Sequence, residues 1–400
     1  MMSTLINAGS LVFVFCFVIA IGRSQSQIPQ AKMRLANMSS YSLLMESAGK
    51  NLKDKRYQAA LNDFKAAFIQ KDSIGKYDYA NAMVAAANVD SVDLAIAWFE
   101  EGIKLGLGIT DDEYRYFSSA EEFQNLKKQI AYQNQLDRLS TQVAQLKKRQ
   151  AEAKREWLKK IQHNSSRGAG EVVKSGFVLY WNQMGDSLVP YLVYLPAELK
   201  DKNNVRAIVY LHGGVSSVTE FQFEDPSVAD EPIFKLADHL GFVVIYPFGK
   251  KSYGWVRQRS AFQQVLAITE DVKLNYLLNS KEIYLGGMSN GGTAVYWFAA
   301  QSNTPFSAFF TLSADCELVI EPIDWERLHS DRPIYSFHTA DDTIYPIAKI
   351  SAVYASRKSP AWHLRTLKAG GHGFIYDPVK GHELFMQCIT EMLEEVHKTR

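Results

Sequence analysis

The run Ile283 to Gly292, I-Y-L-G-G-M-S-N-G-G, places Ser289 between glycines directly after a short apolar segment. A strand that turns sharply into a helix holds its corner residue in a strained backbone conformation, and glycine neighbours leave room for that turn. The strain lifts the serine hydroxyl above the sheet, while the amides that start the helix face developing negative charge. The run therefore predicts a strand, a turn and a helix, with a serine positioned to attack a carbonyl carbon.

Length and composition bound what the rest of the chain can be. The protein has 400 residues, of which 47% are hydrophobic and 22% charged, so it can bury a large core and favours two folded units. The formal net charge is +1, with acidic and basic residues interspersed. A nucleic-acid partner is therefore not expected.

The cysteines and histidines give no support for a metal site. Cys16 lies inside an apolar run, whereas Cys316 and Cys388 either form one disulfide or remain as two buried thiols. Neither of the last two belongs to a C-x-x-C motif, and the nine histidines include no H-x-x-x-H pair. We expect neither a metal nor an organic cofactor.

The N-terminal segment predicts export. Leu11 to Ile21 is uncharged and apolar, and small residues follow at a plausible cleavage spacing, as far as Ser26. Residues 1–10 contain no Lys or Arg, so an uncleaved anchor is the alternative. Because the apolar run is shorter than the about 20 residues that cross a bilayer, a signal peptide over residues 1–26 is favoured. The protein is then periplasmic or extracellular.

Residues 40–132 have helical periodicity and a repeat. The segment Tyr57 to Ala67, YQAALNDFKAA, is echoed about 35 residues later by Val92 to Gly102, VDLAIAWFEEG. A period of this length, with recurring alanine and aromatic positions, resembles tetratricopeptide repeats, which stack helical hairpins. An unclassified helical bundle is the alternative. The resemblance implies that this region could bind a protein partner.

A long helix is predicted for residues 133–165. Apolar side chains recur there at spacings of three and four, at Leu136, Leu139, Val143, Leu146, Ala153 and Trp157. Such a helix can form a coiled-coil dimer, pack on the helical domain, or act as a rigid spacer. We favour the last two, because fewer than four clean heptads are present. Turn-forming residues 163–170 then mark a boundary, and the second domain covers residues 171–400.

The pattern changes to short strands after residue 170. Phe177 to Trp181 and Tyr191 to Leu195 predict an antiparallel hairpin. Further strands alternate with helical stretches, at Ala207 to Leu211, Phe242 to Tyr246, Ile283 to Leu285, Ala308 to Leu312, Ile334 to His338 and His363 to Leu367. This alternation predicts a mostly parallel sheet with helices on both faces, and active residues at the carboxyl ends of its strands.

A serine hydroxyl needs a general base, which is usually a histidine. His372 fits best because it lies in the glycine-rich loop Ala369 to Phe374, just after the last predicted strand. A solvent-exposed turn residue is the alternative interpretation. We predict that His372 activates Ser289.

The base needs a carboxylate that orients it and stabilises its charged form. Asp341 and Asp342 both follow the strand that ends at His338. Asp342 is favoured, because it lies four residues from both His338 and Pro346, the spacing of an H-G-x-x-D-x-x-V-P segment that this stretch resembles. Asp341 remains the alternative acid.

Two further groups of residues are candidates for the site. The stretch Y-L-H-G-G-V, residues 210–215, resembles the H-G-G oxyanion loop of esterases, in which backbone amides bind the oxyanion. We assign the amide of Gly214 or Val215 together with that of Asn290, and expect His212 to order the loop. The aromatic residues Tyr253, Trp255 and Phe221 either contact substrate or pack under loops.

These motifs together resemble the α/β-hydrolase superfamily, in the chain order serine, aspartate, histidine. They are H-G-G from His212, G-M-S-N-G-G from Gly287, D-D from Asp341 and G-H-G-F from Gly371. Within this superfamily, the chain is similar to secreted polyhydroxybutyrate depolymerase-like and feruloyl esterase-like proteins. The similarity lies in the S-N-G-G motif, in Y-P-F-G from Tyr246 and in Gly254-Trp255. The resemblance covers about Gly176 to Glu395. It departs from the family at Thr339, where glycine is usual, and at Tyr345, where valine is usual.

The resemblance implies hydrolysis of carboxylic esters through an acyl-enzyme, without metal or organic cofactor. Little room exists between Leu312 and Pro333 for a large cap domain, so the site is expected to be open and to accept a bulky or polymeric ester. Two alternatives remain. One is a serine peptidase of the prolyl oligopeptidase type, and the other is a catalytically silent fold that serves as a binding or scaffold protein.

Overall fold

The chain divides into two compact units, one up to Ala151 and one from Glu152. The computed structural model describes residues 40–70, 74–165, 175–197 and 205–398. The signal peptide expected at residues 1–26 lies outside these ranges. Within them, no helix combines the length and apolar character that crossing a bilayer needs.

The first unit is helical. Its helices are α1 (Ser40–Lys53), α2 (Tyr57–Phe68), α3 (Lys76–Ala87), α4 (Val92–Lys104), α5 (Asp111–Ser119) and the first part of α6 (Ile130–Ser165), with two 3-10 turns at Glu121–Phe123 and Leu126–Lys128. Helix α1 packs on α2, and α3 packs on α4. The two similar sequence segments are therefore α2 and α4, the second helix of each pair. Buried alanines along α3 allow close helix contact, and Phe64, Phe99 and Tyr132 fill the core.

Helix α6 contributes to one hydrophobic core in each unit. Leu136 and Leu139, near its start, are buried in the core of the first unit. Trp157 and Ile161, near its end, are buried in a core of the second unit, where the Trp157 indole donates a 2.8 Å hydrogen bond to the carbonyl of Phe223.

The second unit is built on an eight-stranded sheet. Its strands are β1 (Gly176–Met184), β2 (Ser187–Leu195), β3 (Val205–Leu211), β4 (Val243–Pro247), β5 (Leu278–Met288), β6 (Ala308–Leu312), β7 (Ile334–Thr339) and β8 (Trp362–Leu367). Their order is β1-β2-β4-β3-β5-β6-β7-β8. Strand β2 is antiparallel to both neighbours, and the remaining pairs are parallel. The mostly parallel sheet and its leading antiparallel hairpin confirm the expected fold class.

Helices cover both faces of this sheet. They are α7 (Pro232–Leu240), α8 (Arg259–Asn275), α9 (Asn290–Ala299), α10 (Ile347–Arg357) and α11 (Gly381–Lys398). Side chains of α8, α9 and α10 share one core, and those of α7, α11 and the end of α6 share the other. Neighbouring strand residues alternate between the two, as Val209 and Tyr210 do, because successive side chains point to opposite faces.

The two cysteines of this unit lie in different cores. Cys316 belongs to the core that contains α9, and Cys388 belongs to the core that contains α11. Both thiols are free and buried. The disulfide alternative is therefore wrong for this pair, and the alternative of two buried thiols holds.

Candidate active site

Ser289 forms the corner between β5 and α9. Its backbone has φ 52° and ψ −121°, a conformation that non-glycine residues adopt only under strain. Its N–H donates a 2.9 Å hydrogen bond to the carbonyl of Leu312, and its carbonyl accepts the N–H of Thr293 at 2.9 Å. The strained residue is thus held from both sides, by β6 and by the first turn of α9.

Glycines make this corner sterically possible. A Cβ atom on Gly291 would lie 1.9 Å from the carbonyl oxygen of Leu211, at the end of β3. One on Gly287 would lie 2.6 Å from the carbonyl carbon of Gly291. Strand ends and helix start approach too closely here for any side chain, so the sequence G-x-S-x-G is required by backbone packing.

The H-G-G loop runs beside the serine. A Cβ atom on Gly213 would lie 3.1 Å from Ser289 Cβ and 3.8 Å from its Oγ. The Gly214 carbonyl accepts hydrogen bonds from the Ser217 N–H at 2.9 Å and its hydroxyl at 2.7 Å. The N–H of Val215 shares that trans peptide and points the opposite way, away from this turn.

His212 holds the loop in place. Its Nδ1 donates to the carbonyl of Gly213 at 2.7 Å, and its Nε2 accepts the N–H of Gly249 at 3.0 Å. These roles follow from the partners, because a carbonyl only accepts and an amide N–H only donates. Burial lowers the pKa of His212 from its ordinary 6.5 to about 4. A neutral imidazole with both nitrogens occupied is a structural group, as expected from the sequence.

The structure brings His372 to Asp342. The imidazole Nδ1 donates to Asp342 Oδ2 at 2.9 Å, which leaves Nε2 as the nitrogen able to take a proton. Asp342 is only 4% exposed, and its Oδ1 accepts the N–H groups of Ile344 at 2.8 Å and Tyr345 at 2.9 Å. His338 Nε2 lies 3.3 Å from Oδ2. Every oxygen of the buried carboxylate therefore faces donors.

Asp341 has a different place. It is exposed, and it accepts the N–H groups of Gly371 at 2.9 Å and Gly370 at 3.2 Å. These two backbone hydrogen bonds lower the pKa of Asp341. Both glycines have positive φ, 62° at Gly371 and 137° at Gly370. Asp341 thus ties down the loop that leads to His372, while Asp342 contacts the imidazole itself.

The aromatic candidates divide by burial. Trp255 is 1% exposed and packs edge to face on His212, with ring centroids 5.0 Å apart. Its indole therefore packs against the H-G-G loop, and the packing alternative applies rather than the predicted substrate contact. Tyr253 is half-buried. The ammonium of Lys250 lies 4.6 Å from the centroid of the Phe221 ring.

Tyr345 is a site residue that sequence reasoning did not include. Its ring meets that of His372 edge to face, with centroids 5.1 Å apart and an interplanar angle of 78°. The Asn290 side-chain amide donates to its hydroxyl at 3.5 Å. The available signal was its departure from the valine of the family segment. Among the described residues, no group of three His, Cys, Asp or Glu side chains could hold a metal ion.

The strand order, the antiparallel β2 and the strained serine after β5 define an α/β-hydrolase fold. No known protein-family model matches the chain. A bifunctional acetylxylan esterase/xylanase from Neocallimastix patriciarum is 29% identical over 159 residues, which are 38% of this chain and 21% of that protein. The chain thus spans about a fifth of the relative's length.

Solved structures with similar folds include three hydrolases. A thermostable esterase matches 56% of this chain and 62% of its own, with TM-score 0.42 and 17% identity. The apo form of Thermogutta terrifontis esterase 2 matches 57% of this chain and 97% of its own, with TM-score 0.42 and 15% identity. Uncomplexed Pyrococcus horikoshii acylaminoacyl peptidase matches 56% and 42%, with TM-score 0.41 and 17% identity.

Proposed function

We propose that the protein is a serine hydrolase that cleaves carboxylic esters through Ser289, His372 and Asp342. The observation that carries the proposal is the pairing of a strained serine with a histidine whose Nδ1 donates to a buried aspartate. Strain at a corner between strand and helix costs stability, and such strain clusters where chemistry needs it. A carboxylate on Nδ1 fixes the tautomer in which Nε2 can act as a base.

The proposed reaction has two halves. Ser289 Oγ attacks the ester carbonyl while its proton moves to Nε2 of His372, and the tetrahedral intermediate expels the alcohol, which takes that proton. Water then attacks the acyl-enzyme, gives a proton to His372, and releases the carboxylic acid and the free Ser289 hydroxyl. Asp342 stabilises the imidazolium in both halves.

The oxyanion is bound by backbone amides in this proposal. The N–H of Asn290 starts helix α9, where the helix dipole favours negative charge. The N–H of Gly214 or Val215 supplies the second donor, from the loop that His212 holds against Gly249. Two such donors stabilise the transition state by several kcal/mol, on the order of 3 kcal/mol each.

The substrate we favour is an acylated carbohydrate or another bulky ester. One support is the similarity to a protein that is named as an acetylxylan esterase. Another is the segment between β6 and β7, whose described residues 313–333 form only a 3-10 turn at Trp325–Arg327 and no cap domain. A polymer chain could approach such an open site. Membership of the polyhydroxybutyrate depolymerase-like or feruloyl esterase-like group is the finer form of this proposal.

Turnover of a chromogenic short-chain acetate tests the central proposal. Ser289→Ala is expected to lower kcat by at least about a thousandfold, because the nucleophile is lost while folding is unaffected. Ser356→Ala, which removes an exposed hydroxyl from α10, is the matched control and should keep wild-type turnover. Equal activity of wild type and Ser289→Ala would instead indicate a silent fold. Faster cleavage of aminoacyl amides than of esters would indicate a peptidase.

Two further proposals concern the remainder of the chain. We propose that residues 1–26 direct export and are then removed. Intact-mass measurement of the protein isolated from its native host tests this proposal as the loss of that segment.

We also propose that the helical unit binds a protein partner as a tetratricopeptide-like module. Paired packing of α1 with α2 and of α3 with α4 supports this, as do exposed apolar side chains such as Ile69, Leu105 and Ile130. Ile69→Ser should weaken the binding of a co-purifying partner without changing ester turnover.

A further inference from the structure

Tyr345 lies against two groups of the proposed site, and the ester mechanism gives it no role. Its ring borders the imidazole of His372, and its hydroxyl accepts the side-chain amide of Asn290 at 3.5 Å. Burial raises the pKa of the Tyr345 phenol, and hydrogen bonding from Ser289 acts to lower it. The Tyr345 ring therefore borders the proposed base, and its hydroxyl reaches the side chain of the residue that follows the proposed nucleophile.

The backbone of Tyr345 is fixed by the residues that orient His372. Its N–H donates to Asp342 Oδ1 at 2.9 Å, and its carbonyl accepts His338 Nε2 at 2.6 Å. The N–H is thereby bound to the buried carboxylate that holds the imidazole, and the carbonyl is bound to His338, whose Nε2 lies 3.3 Å from that carboxylate. The position of the phenol relative to His372 is thus built into the loop and does not depend on a flexible surface segment.

A polar rim continues outward from the phenol. Lys349, one helical turn further along the chain, places its Nζ 2.8 Å from Asp315 and 3.0 Å from Glu317. Asp315 and Lys349 are both close enough to Tyr345 to affect its pKa, in opposite directions. A carboxamide, a carboxylate and an ammonium group are therefore near the phenol, and such groups can form hydrogen bonds with hydroxyl groups.

The proton path indicates which part of a substrate meets this rim. His372 returns its proton to the departing alcohol oxygen, so the alcohol must leave on the imidazole side. Tyr345 borders that imidazole and contacts the side chain of Asn290, whereas the proposed oxyanion donors are backbone N–H groups of Asn290 and of the H-G-G loop. The rim thus adjoins the alcohol portion of the ester.

We propose that the Tyr345 hydroxyl and the Asn290 carboxamide form a subsite that hydrogen-bonds a hydroxyl of the departing alcohol, so that the protein selects esters of polyhydroxylated alcohols. The inference rests on the proposed ester hydrolysis. Half-buried polar groups that an apolar alcohol covers without hydrogen-bonding cost affinity, and this difference produces the selectivity.

Acyl transfer from a common acyl-enzyme tests the subsite directly. The probe is p-nitrophenyl acetate with glycerol or 1-propanol as competing acceptor, and the readout is the ratio of glyceryl acetate to propyl acetate. Each acceptor hydroxyl gives its proton to His372 as its oxygen bonds to the acyl carbon, and Ser289 leaves with that proton. The acyl group is the same in both reactions, so only the alcohol subsite can change the ratio.

Tyr345→Phe is expected to lower that ratio about tenfold, the worth of one hydrogen bond, while p-nitrophenol release continues. Tyr345→Val, which restores the residue usual in the family segment, should give the same shift. Tyr354→Phe removes a phenol from α10 and should leave the ratio unchanged. An unchanged ratio in the folded Tyr345 variants would overturn the subsite, as would equal losses with both acceptors. If wild type releases no p-nitrophenol, the hydrolase proposal itself fails.

Discussion

The two sides of the proposed site are held by different physical means. The nucleophile corner is held by backbone contacts so close that Gly287 and Gly291 admit no side chain. The acid and base loops are held by hydrogen bonds, with Asp342 and Asp341 each accepting two backbone amides. A Cβ atom on Gly371 would meet nothing within 4 Å, in contrast to one on Gly291.

This difference indicates how each side can be damaged. Steric contacts fail abruptly when volume is added, because backbone atoms of β3 and α9 cannot move apart without breaking the sheet. Hydrogen-bonded loops fail by degrees, because a lost acceptor or a strained φ can be absorbed in solvent. Substitutions on the two sides should therefore separate effects on folding from effects on chemistry.

The largest expected effect is on chemistry, at the acid. Asp342→Asn should lower kcat by about ten-thousandfold, because an amide in place of the carboxylate favours the wrong tautomer of His372. Asp341→Asn should keep most activity, because that residue contacts only loop amides. Steady-state kinetics with one ester measure both variants. Equal losses would show that loop position, and not the carboxylate on Nδ1, limits the reaction.

The next effect is on folding, at the corner. Gly291→Ala should destabilise the protein by more than about 4 kcal/mol, because its Cβ would overlap the Leu211 carbonyl oxygen at 1.9 Å. Urea denaturation followed by circular dichroism measures the change. A stable Gly291→Ala variant would contradict the close approach of α9 to β3.

His212, in the loop beside the nucleophile corner, makes the stability of the protein sensitive to acid. The pKa of His212 is about 4 in the folded protein, against an ordinary value of 6.5. As the pH falls, the unfolded chain therefore takes up this proton before the folded protein does. Its contribution to stability is complete above pH 6.5 and is lost as the pH falls through 4, about 3 kcal/mol in all. Thermal unfolding from pH 7 to pH 4 measures this, and His212→Asn should flatten the curve between those values. An unchanged pH dependence in the His212→Asn variant would show that another group is responsible.

The smallest effect is expected at the base loop. Gly371→Ala adds a Cβ where φ is 62°, so the cost is backbone strain of about 1 kcal/mol with no steric overlap. Thermal unfolding should therefore shift by a few degrees, far less than for Gly291→Ala. Ester turnover by the Gly371→Ala variant, measured at a low temperature where it is folded, is the control for the position of the loop that carries His372. A loss of stability as large as at Gly291 would contradict the proposed contrast between the two sides.

Local pattern was enough to predict much of the second unit. Alternating strands and helices predicted the parallel sheet, since each element carries its own periodicity in sequence. The strand predicted at Ala308 to Leu312 has the bounds found for β6, whereas β5 extends beyond Ile283 to Leu285 at both ends. Its extra residues include Asn279, Ser280 and Lys281, which are polar and carry no strand signal.

Burial was harder to predict than position in the chain. Trp255 and Tyr253 are both aromatic residues in one loop, yet the first is 1% exposed and the second half-buried. Which of them packs against the H-G-G loop depends on contact with His212, some 40 residues earlier. The role of Tyr345 likewise depends on Asn290, at the start of α9, and on His372, in another loop.

Sequence by itself determined the elements and the residue types at their ends, because hydrophobic period, glycine sterics and turn chemistry act over a few neighbouring residues. It left Asp341 and Asp342 as alternatives, since adjacent residues share the same spacing. Tertiary structure separated them: the buried carboxylate of Asp342 meets the imidazole, and the exposed one of Asp341 meets two amides. Contacts between residues 30 positions apart in the chain are set by how β7 and β8 pack together, and no local pattern encodes that distance.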